Sequence, residues 1–340
     1  MISHLVPSRS LVPGTSTAVY PASMQSTKTV DKIIQLMDKE DVFSKSDSVL
    51  GIKYIFGFQL PGHGMPGSGC GEFYTVGCLA HGYIEKHVKT CMRADCPITW
   101  VGVTESGDRV KTGCRQKWAG RLAGRAENRI SQVTGLGPPK HIMISPPKAA
   151  WGLVSTDYPG LRRQVYKVAN RVCVRGGLLI FHPFRRRCPK CLSTPEMGHK
   201  TCLKCGNPWF EWFFSPHFHI IGFGWIEGTT EEFKKSGYVV RNLGIRKSVG
   251  GTVLYQLSHA GVHLKYHIIT WFGACSYNKL RIEPEEREGR PTCPTCGATL
   301  LPCAWFGEGE DPLLDAGEGE YWIDPAGWRY TARYRGFSGF

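Results

Sequence analysis

Acidic side chains and long apolar runs are both scarce in this 340-residue sequence. It has 28 Asp and Glu against 42 Lys and Arg, a formal net charge of +14. Such a surplus favours a polyanionic partner, either nucleic acid or an anionic membrane surface. No apolar run approaches the roughly 18 residues of a membrane-spanning helix, and the first residues lack the basic and apolar parts of a secretion signal. We therefore expect a cytoplasmic protein with no membrane-embedded part.

The 14 cysteines fall mostly in closely spaced pairs, a pattern more typical of metal sites than of disulfides. The clearest set is Cys188 and Cys191 followed by Cys202 and Cys205. Two Cys-x-x-Cys turns at this spacing present four thiolates to one tetrahedral ion. The sequence therefore predicts a structural zinc ribbon at 188–205.

Two further cysteine groups are candidate zinc ligands with less regular spacing. The first comprises Cys70, Cys78, Cys91, Cys96 and Cys114, with His81 and His87 among them. It offers more ligands than one zinc needs, and the spacing does not select four of them. The second comprises Cys293, Cys296 and Cys303, which make half a ribbon and one extra thiol without an evident fourth ligand.

Hydrophobic patterning between 115 and 273 predicts an α+β fold. Helices are predicted at 115–135, 158–174 and 249–262, and strands at 140–147, 176–184, 211–226 and 265–273. From 140 onward the order is strand, helix, strand, strand, helix, strand. This order predicts helices packed on a mostly antiparallel sheet.

Two histidines one residue apart begin an apolar strand, in the stretch SPHFHIIGFG. Residues i and i+2 of a strand point to the same face, so His217 and His219 lie side by side while Phe218 points into the core. Such a pair suits a divalent metal, although a pair of hydrogen-bonded edge histidines has the same pattern. Further along, Tyr255 and His259 stand one helical turn apart.

Three motifs in this order resemble the HUH endonucleases: HIMISPP, then PHFHIIGFG, then TVLYQLSHAG. Within that superfamily the chain is most similar to the rolling-circle replication initiators (Rep) of archaeal plasmids and viruses. The resemblance implies that Tyr255 attacks single-stranded DNA, leaving a 5′-phosphotyrosine and a free 3′-OH. It also implies that His217 and His219 bind Mg²⁺ or Mn²⁺. His259 is the candidate third ligand, and Glu211 is the alternative.

The resemblance also suggests a domain organisation and partners. Residues 1–60 form an N-terminal region, partly disordered, and 61–125 a cysteine-rich zinc module with a basic helix. Residues 126–285 form the nuclease domain with its inserted ribbon, and 286–340 a cysteine-containing tail. The partners implied are origin DNA and the host replication machinery. Because no G-x4-GK[ST] motif of a helicase occurs in the sequence, we also expect a host helicase to unwind the DNA.

Three consecutive arginines just before the ribbon, Arg185, Arg186 and Arg187, are candidate DNA contacts. A solvated basic turn would have the same sequence. Two other functions also remain open. One is a transposase of the same superfamily, which acts on transposon ends. The other is a non-catalytic zinc-ribbon protein that binds DNA or RNA.

Overall fold

The computed structural model describes residues 54–103, 109–194, 201–282 and 289–331. Residues 1–53 of the N-terminal region expected at 1–60 lie outside these ranges. None of the helices within them combines the length and apolar character that crossing a membrane requires.

The described chain alternates short and long strands with five α-helices. The strands are β1 (Tyr54–Ile55), β2 (Phe58–Gln59), β3 (Phe73–Cys78), β4 (Tyr83–Val88), β5 (Thr99–Val103), β6 (Arg109–Gly113), β7 (Lys140–Ser145), β8 (Val174–Arg187), β9 (Glu211–Gly224), β10 (Val239–Ile245), β11 (Ile269–Gly273), β12 (Leu301–Trp305), β13 (Gly319–Trp322) and β14 (Trp328–Tyr330). The helices are α1 (Cys114–Ser131), α2 (Leu153–Thr156), α3 (Tyr158–Arg171), α4 (Thr229–Ser236) and α5 (Val249–Leu257).

Five antiparallel strands in the order β10-β7-β9-β8-β11 form the central sheet. β8 and β9 are its longest strands and run beyond their neighbours. The last four residues of β8, 184–187, and the first four of β9, 211–214, pair only with each other. The ribbon stretch therefore connects the two strands at the end of a two-stranded arm.

Alternating side chains of the central sheet bury both of its faces, because successive residues of a strand point in opposite directions. On one face Leu178, Ile180, Ile221 and Phe223 pack against α1 and α5. On the other face Leu179, Phe181, Phe218 and Ile220 pack against α3. Each such side chain that leaves water contributes about 1.5–3 kcal/mol, so both helical layers are held firmly.

Helix α1 lies close to the sheet and to α5 because the middle of its buried stripe consists of small residues. Ala119, Ala123 and Ala126 are almost completely buried beside Val253 of α5. Arg129, which is buried near the end of the helix, donates hydrogen bonds to backbone carbonyls. Most of the helix therefore has a structural role.

A second antiparallel sheet, the outer sheet, has the order β13-β4-β3-β12-β14. β3 and β4 come from the segment 61–125, whereas β12, β13 and β14 come from 286–340. Two segments that the sequence divided into separate units therefore pair into one sheet.

The mixed α+β class with antiparallel sheets agrees with the sequence prediction. The helices expected at 115–135, 158–174 and 249–262 are present, but each ends several residues earlier than predicted. The strands expected at 140–147, 176–184, 211–226 and 265–273 are present with shifted ends.

Candidate functional site: a histidine cluster beside a basic pocket

Three histidines meet on the face of the central sheet that packs against α1 and α5. His217 and His219 come from β9, and His182 lies directly opposite His217 on β8. One nitrogen from each ring lies within 4.8 Å of the others, close enough for one metal ion. Phe218 points into the opposite core, as predicted.

His182 was missed by sequence reasoning and has the most unusual environment of the three. Its side chain is 0% exposed, and neither ring nitrogen has a hydrogen-bond partner among the described residues. Burying a polar group without a partner costs about 1–3 kcal/mol, so native proteins rarely leave one in this state. A bound cation would satisfy a ring nitrogen, and the donor set therefore fits a metal.

A bulge in β9 sets the direction of the histidine side chains. His182 pairs with His217 but Phe184 pairs with Phe214, so β9 carries an extra residue around Ser215 and Pro216. The bulge brings the Ser215 carbonyl within 2.8 Å of His217 Nδ1, which donates to it. This hydrogen bond leaves the lone pair of His217 on Nε2, the arrangement typical of a metal ligand.

A fourth histidine orients His219 from the neighbouring strand. His141 of β7 lies with its Nε2 2.7 Å from His219 Nδ1, and both rings are buried. Burial and the nearby Arg246 lower the pKa of His141 to about 4. His141 is therefore neutral at neutral pH and restrains the ring of His219 by a hydrogen bond.

Burial keeps the histidine cluster uncharged. Desolvation by burial places the pKa values of His182, His217 and His219 well below the ordinary value, and the neighbouring histidines, with Arg185 beside His217 and His219, lower them further. Desolvation, followed by the charge of Arg186, lowers the pKa of His259 to about 4. Neutral imidazole is the form that binds a metal ion.

Helix α5 brings Tyr255 to the cluster in its last turn. Ser248 caps the helix by accepting a hydrogen bond from the Gly251 amide at 3.0 Å. The rings of Tyr255 and His259 are 5.1 Å apart, and those of His259 and His182 are 4.4 Å apart. The phenol, His259 and the three clustered histidines are therefore contiguous.

An open pocket of about 300 Å³ gives access to Tyr255, His217, His219 and His259, whereas His182 is not among the residues that line it. Its polar lining includes Tyr255, Ser258 and the basic side chains of Arg115, Arg185 and Arg186. The residues that line it are Leu60, Pro61, His63, Arg115, Met143, Phe184, Arg185, Arg186, Thr194, Trp212, His217, His219, Tyr255, Ser258 and His259. A cavity with this charge suits a phosphate group.

The three consecutive arginines have different environments. Arg185 donates to Ser145 Oγ at 2.8 Å, and Arg186 is exposed and lies over the ring of Trp212. Arg187 donates from Nε to the carboxylate of Glu211 at 2.6 Å. Neither member of this ion pair lines the pocket, so the structure does not bring the alternative ligand Glu211 to the histidines.

The four cysteines of the ribbon lie together, in a set compatible with zinc. Two pairs of sulfurs, Cys188 with Cys205 and Cys191 with Cys202, are 3.4 Å apart. The Ser193 hydroxyl donates to Cys202 Sγ and lowers the pKa of that thiol to about 6. This favours the thiolate, the form that binds metal.

The remaining candidate cysteines divide into two more sets of four that spacing did not resolve. One set is Cys70, Cys91, Cys96 and Cys114; the other is Cys78, His81, Cys293 and Cys296. Two candidates lie outside both sets: Cys303 packs in an apolar cluster, and His87 pairs with Glu85. The ligands missing from the C-terminal half-ribbon thus come from a segment more than 200 residues earlier.

The three Cys-x-x-Cys turns share one backbone pattern. In each, the first cysteine's amide donates to a carbonyl five residues later, and its carbonyl accepts from the amide four residues later. The fourth residue after it is left-handed: Leu192 (φ +58°), Gly206 (φ +69°) and Gly297 (φ +69°). Leucine rarely adopts this conformation, so the turn is imposed on Leu192 by its surroundings.

No family model matches the chain, and no curated protein or solved structure shows significant similarity to it.

Proposed function

We propose that the protein is a metal-dependent nicking and joining enzyme of the HUH type, which cleaves single-stranded origin DNA to start rolling-circle replication. One observation carries the proposal: Tyr255 is the only tyrosine among the described residues that line the basic pocket, and it stands beside the buried histidines. The partners proposed with it are a host helicase and replication machinery, in the setting of an archaeal plasmid or virus.

His182, His217 and His219 are the proposed ligands of Mg²⁺ or Mn²⁺, with His259 packed against them. The unpartnered nitrogens of His182 favour it as the third ligand over His259, which already contacts Ser258 Oγ at 3.0 Å through Nδ1. A divalent cation bound there would withdraw charge from a non-bridging phosphate oxygen.

Tyr255 supplies the nucleophile in this proposal. Its phenolic oxygen bonds to phosphorus as the bond from phosphorus to the 3′-oxygen breaks. The neutral imidazole of His259 beside the phenol offers a site for the phenolic proton, and the leaving 3′-oxygen gains a proton to become a hydroxyl. The guanidinium groups of Arg185 and Arg186 stabilise the charge that develops on phosphate.

The test is covalent capture of DNA. The full-length protein is incubated with Mn²⁺ and labelled single-stranded DNA from the replicon that encodes it, then run on a denaturing gel. We expect a labelled protein band for the wild type and none for Tyr255→Phe, which removes one oxygen. Tyr277→Phe, at an exposed tyrosine outside the pocket, is the matched control and should form the adduct. An adduct with Tyr255→Phe would show that the nucleophile lies elsewhere.

The same site would serve a transposase, which the capture experiment separates by substrate: transposon ends rather than an origin would form the adduct. The three four-ligand sets are the specific observation in favour of a non-catalytic zinc protein that binds nucleic acid. That function predicts binding without an adduct on any DNA.

A further inference from the structure

One wall of the pocket is built by residues that lie outside the central sheet. Leu60, Pro61, His63 and Arg115 line the side contributed by the cysteine-rich segment. Arg115 is 7% exposed, so its charge is largely withdrawn from bulk water and directed to the pocket lining.

Backbone hydrogen bonds fix this wall to the loop that carries Cys91 and Cys96. The Gly62 amide donates to the Ala94 carbonyl at 2.8 Å, and the Gly64 amide donates to the Asp95 carbonyl at 2.6 Å. Asp95 is in turn held by a bidentate ion pair with Arg93. Movement of the cysteine loop would therefore move the wall.

Arg115 is covalently connected to one of the clustered cysteines. It follows Cys114, the first residue of α1, whose amide donates to the Ile98 carbonyl at 3.2 Å. Gly62 (φ +79°) packs directly on Arg115, since a side chain there would collide with the guanidinium. The wall and Arg115 thus form one packed unit.

The sulfurs of Cys70, Cys91, Cys96 and Cys114 lie close enough together to share one metal ion. The sulfur of Cys70 lies 3.7, 3.5 and 2.8 Å from those of Cys91, Cys96 and Cys114. A tetrahedral zinc with Zn–S bonds of about 2.3 Å separates its sulfurs by about 3.8 Å, whereas a disulfide needs about 2.05 Å. All four thiols are free of disulfides.

Few apolar side chains pack around the four cysteines. The buried apolar residues in contact with them are Val88 and Trp100. A core of two large side chains stabilises a folded segment weakly, and small modules of this kind commonly depend on a metal.

We propose that Cys70, Cys91, Cys96 and Cys114 form a zinc site that positions Arg115 and the 60–64 wall, so that zinc bound there sets the affinity of the pocket for a phosphate of single-stranded nucleic acid. The identity of the ligand rests on the proposed function, but the metal site does not. The ribbon at 188–205 is a separate site with a separate set of ligands.

The experiment measures zinc content and nucleic-acid affinity in the same full-length proteins. Zinc per chain is determined by elemental analysis, and affinity by the fluorescence anisotropy of a short labelled oligothymidine without added Mg²⁺ or Mn²⁺. Cys70→Ser should lose one zinc and bind about tenfold more weakly. Arg115→Gln should keep all zinc and lose a similar factor, the usual effect of removing a charge-assisted hydrogen bond.

The double variant Cys70→Ser/Arg115→Gln should bind no more weakly than Cys70→Ser alone, because both changes remove the same contact. Cys303→Ser, at a buried cysteine outside the three sets, is the matched control and should keep its zinc and affinity. Full zinc in Cys70→Ser, or normal affinity after zinc loss, would overturn the proposal. So would additive losses in the double variant.

Cadmium-113 NMR of the wild-type protein tests the ligand set without a mutation that endangers folding. We expect two signals in the all-sulfur range, from this cluster and the ribbon, and one from three sulfurs and a nitrogen, from Cys78, His81, Cys293 and Cys296. A single all-sulfur signal would contradict the proposed site. If the protein passes these tests but forms no DNA adduct, the proposed function is contradicted and the proposed zinc site is not.

Discussion

His182→Leu should be more stable than the wild type when Mn²⁺ is absent, and should lose this advantage when Mn²⁺ is present. The imidazole is 0% exposed, and neither of its nitrogens has a hydrogen-bond partner in the described part of the chain. Leucine has a similar volume and no polar atom to desolvate. Because an unmade buried hydrogen bond costs about 1–3 kcal/mol, His182→Leu should raise the free energy of unfolding by about 2 kcal/mol when Mn²⁺ is absent.

Adding Mn²⁺ should stabilise the wild type and leave the variant nearly unchanged. At 100 times its dissociation constant a ligand that binds only the folded state contributes about 2.7 kcal/mol. Two histidines alone, His217 and His219, would bind Mn²⁺ more weakly, so the wild type should overtake the variant or draw level.

The assay is urea unfolding of both proteins with and without Mn²⁺, after each protein has been isolated with its cysteine-bound zinc and transferred to buffer without free zinc. Free Zn²⁺ is left out because imidazole binds it more tightly than Mn²⁺. His267→Leu, at an exposed histidine outside the cluster, is the control and should show the full Mn²⁺ effect. The reasoning fails if His182→Leu is less stable than the wild type without Mn²⁺. It also fails if Mn²⁺ raises the free energy of unfolding of the variant as much as that of the wild type.

Three further predictions concern other parts of the molecule. Cys188→Ser should lose one zinc per chain, measured by elemental analysis, yet keep the Mn²⁺-dependent stabilisation, because the ribbon and the histidine cluster share no ligand. Arg186→Gln should make the plot of log affinity against log salt less steep by about 0.7 for a single-stranded oligonucleotide, because one phosphate contact is lost. An unchanged slope would place that arginine outside the interface. Glu232→Gln should lower the free energy of unfolding by about 2–3 kcal/mol at pH 7, because the buried carboxylate accepts two hydrogen bonds from Arg171. Those bonds hold the pKa of Glu232 below its ordinary 4.5, so its contribution is full above about pH 4.5 and is lost as the pH falls further; equal acid sensitivity of the wild type and the variant would contradict this.

The core of the central sheet was predictable because its strands are apolar on both faces. The stretches around 176–184 and 211–226 are too apolar and β-branched or aromatic to lie on a surface, and both helical layers follow from them. The edge strand β10 and the short helix α4 were not predicted, since each buries few residues and carries a weak pattern.

Within the candidate site, the ligands found from sequence were those close together in the chain. His217 and His219 share a strand face, and the ribbon has regular spacing, so periodicity and spacing were enough. His182 escaped because a single histidine in an apolar strand looks like an ordinary core residue, and only strand register places it opposite His217. The set of Cys78, His81, Cys293 and Cys296 escaped because it depends on the pairing of β3 with β12, a long-range contact that spacing does not encode.

The ribbon at the end of the two-stranded arm has a consequence for how the central sheet folds. β8 and β9 must find one register across the long connection 188–210, and a slip by one residue would turn His217 and His219 to the opposite face. Closing a long flexible loop slows such a search and costs entropy, whereas a metal-bound ribbon shortens the connection to a compact turn. Zinc at 188–205 would thereby act during folding as a clasp that selects the register, and a chain made under zinc starvation would populate misregistered hairpins.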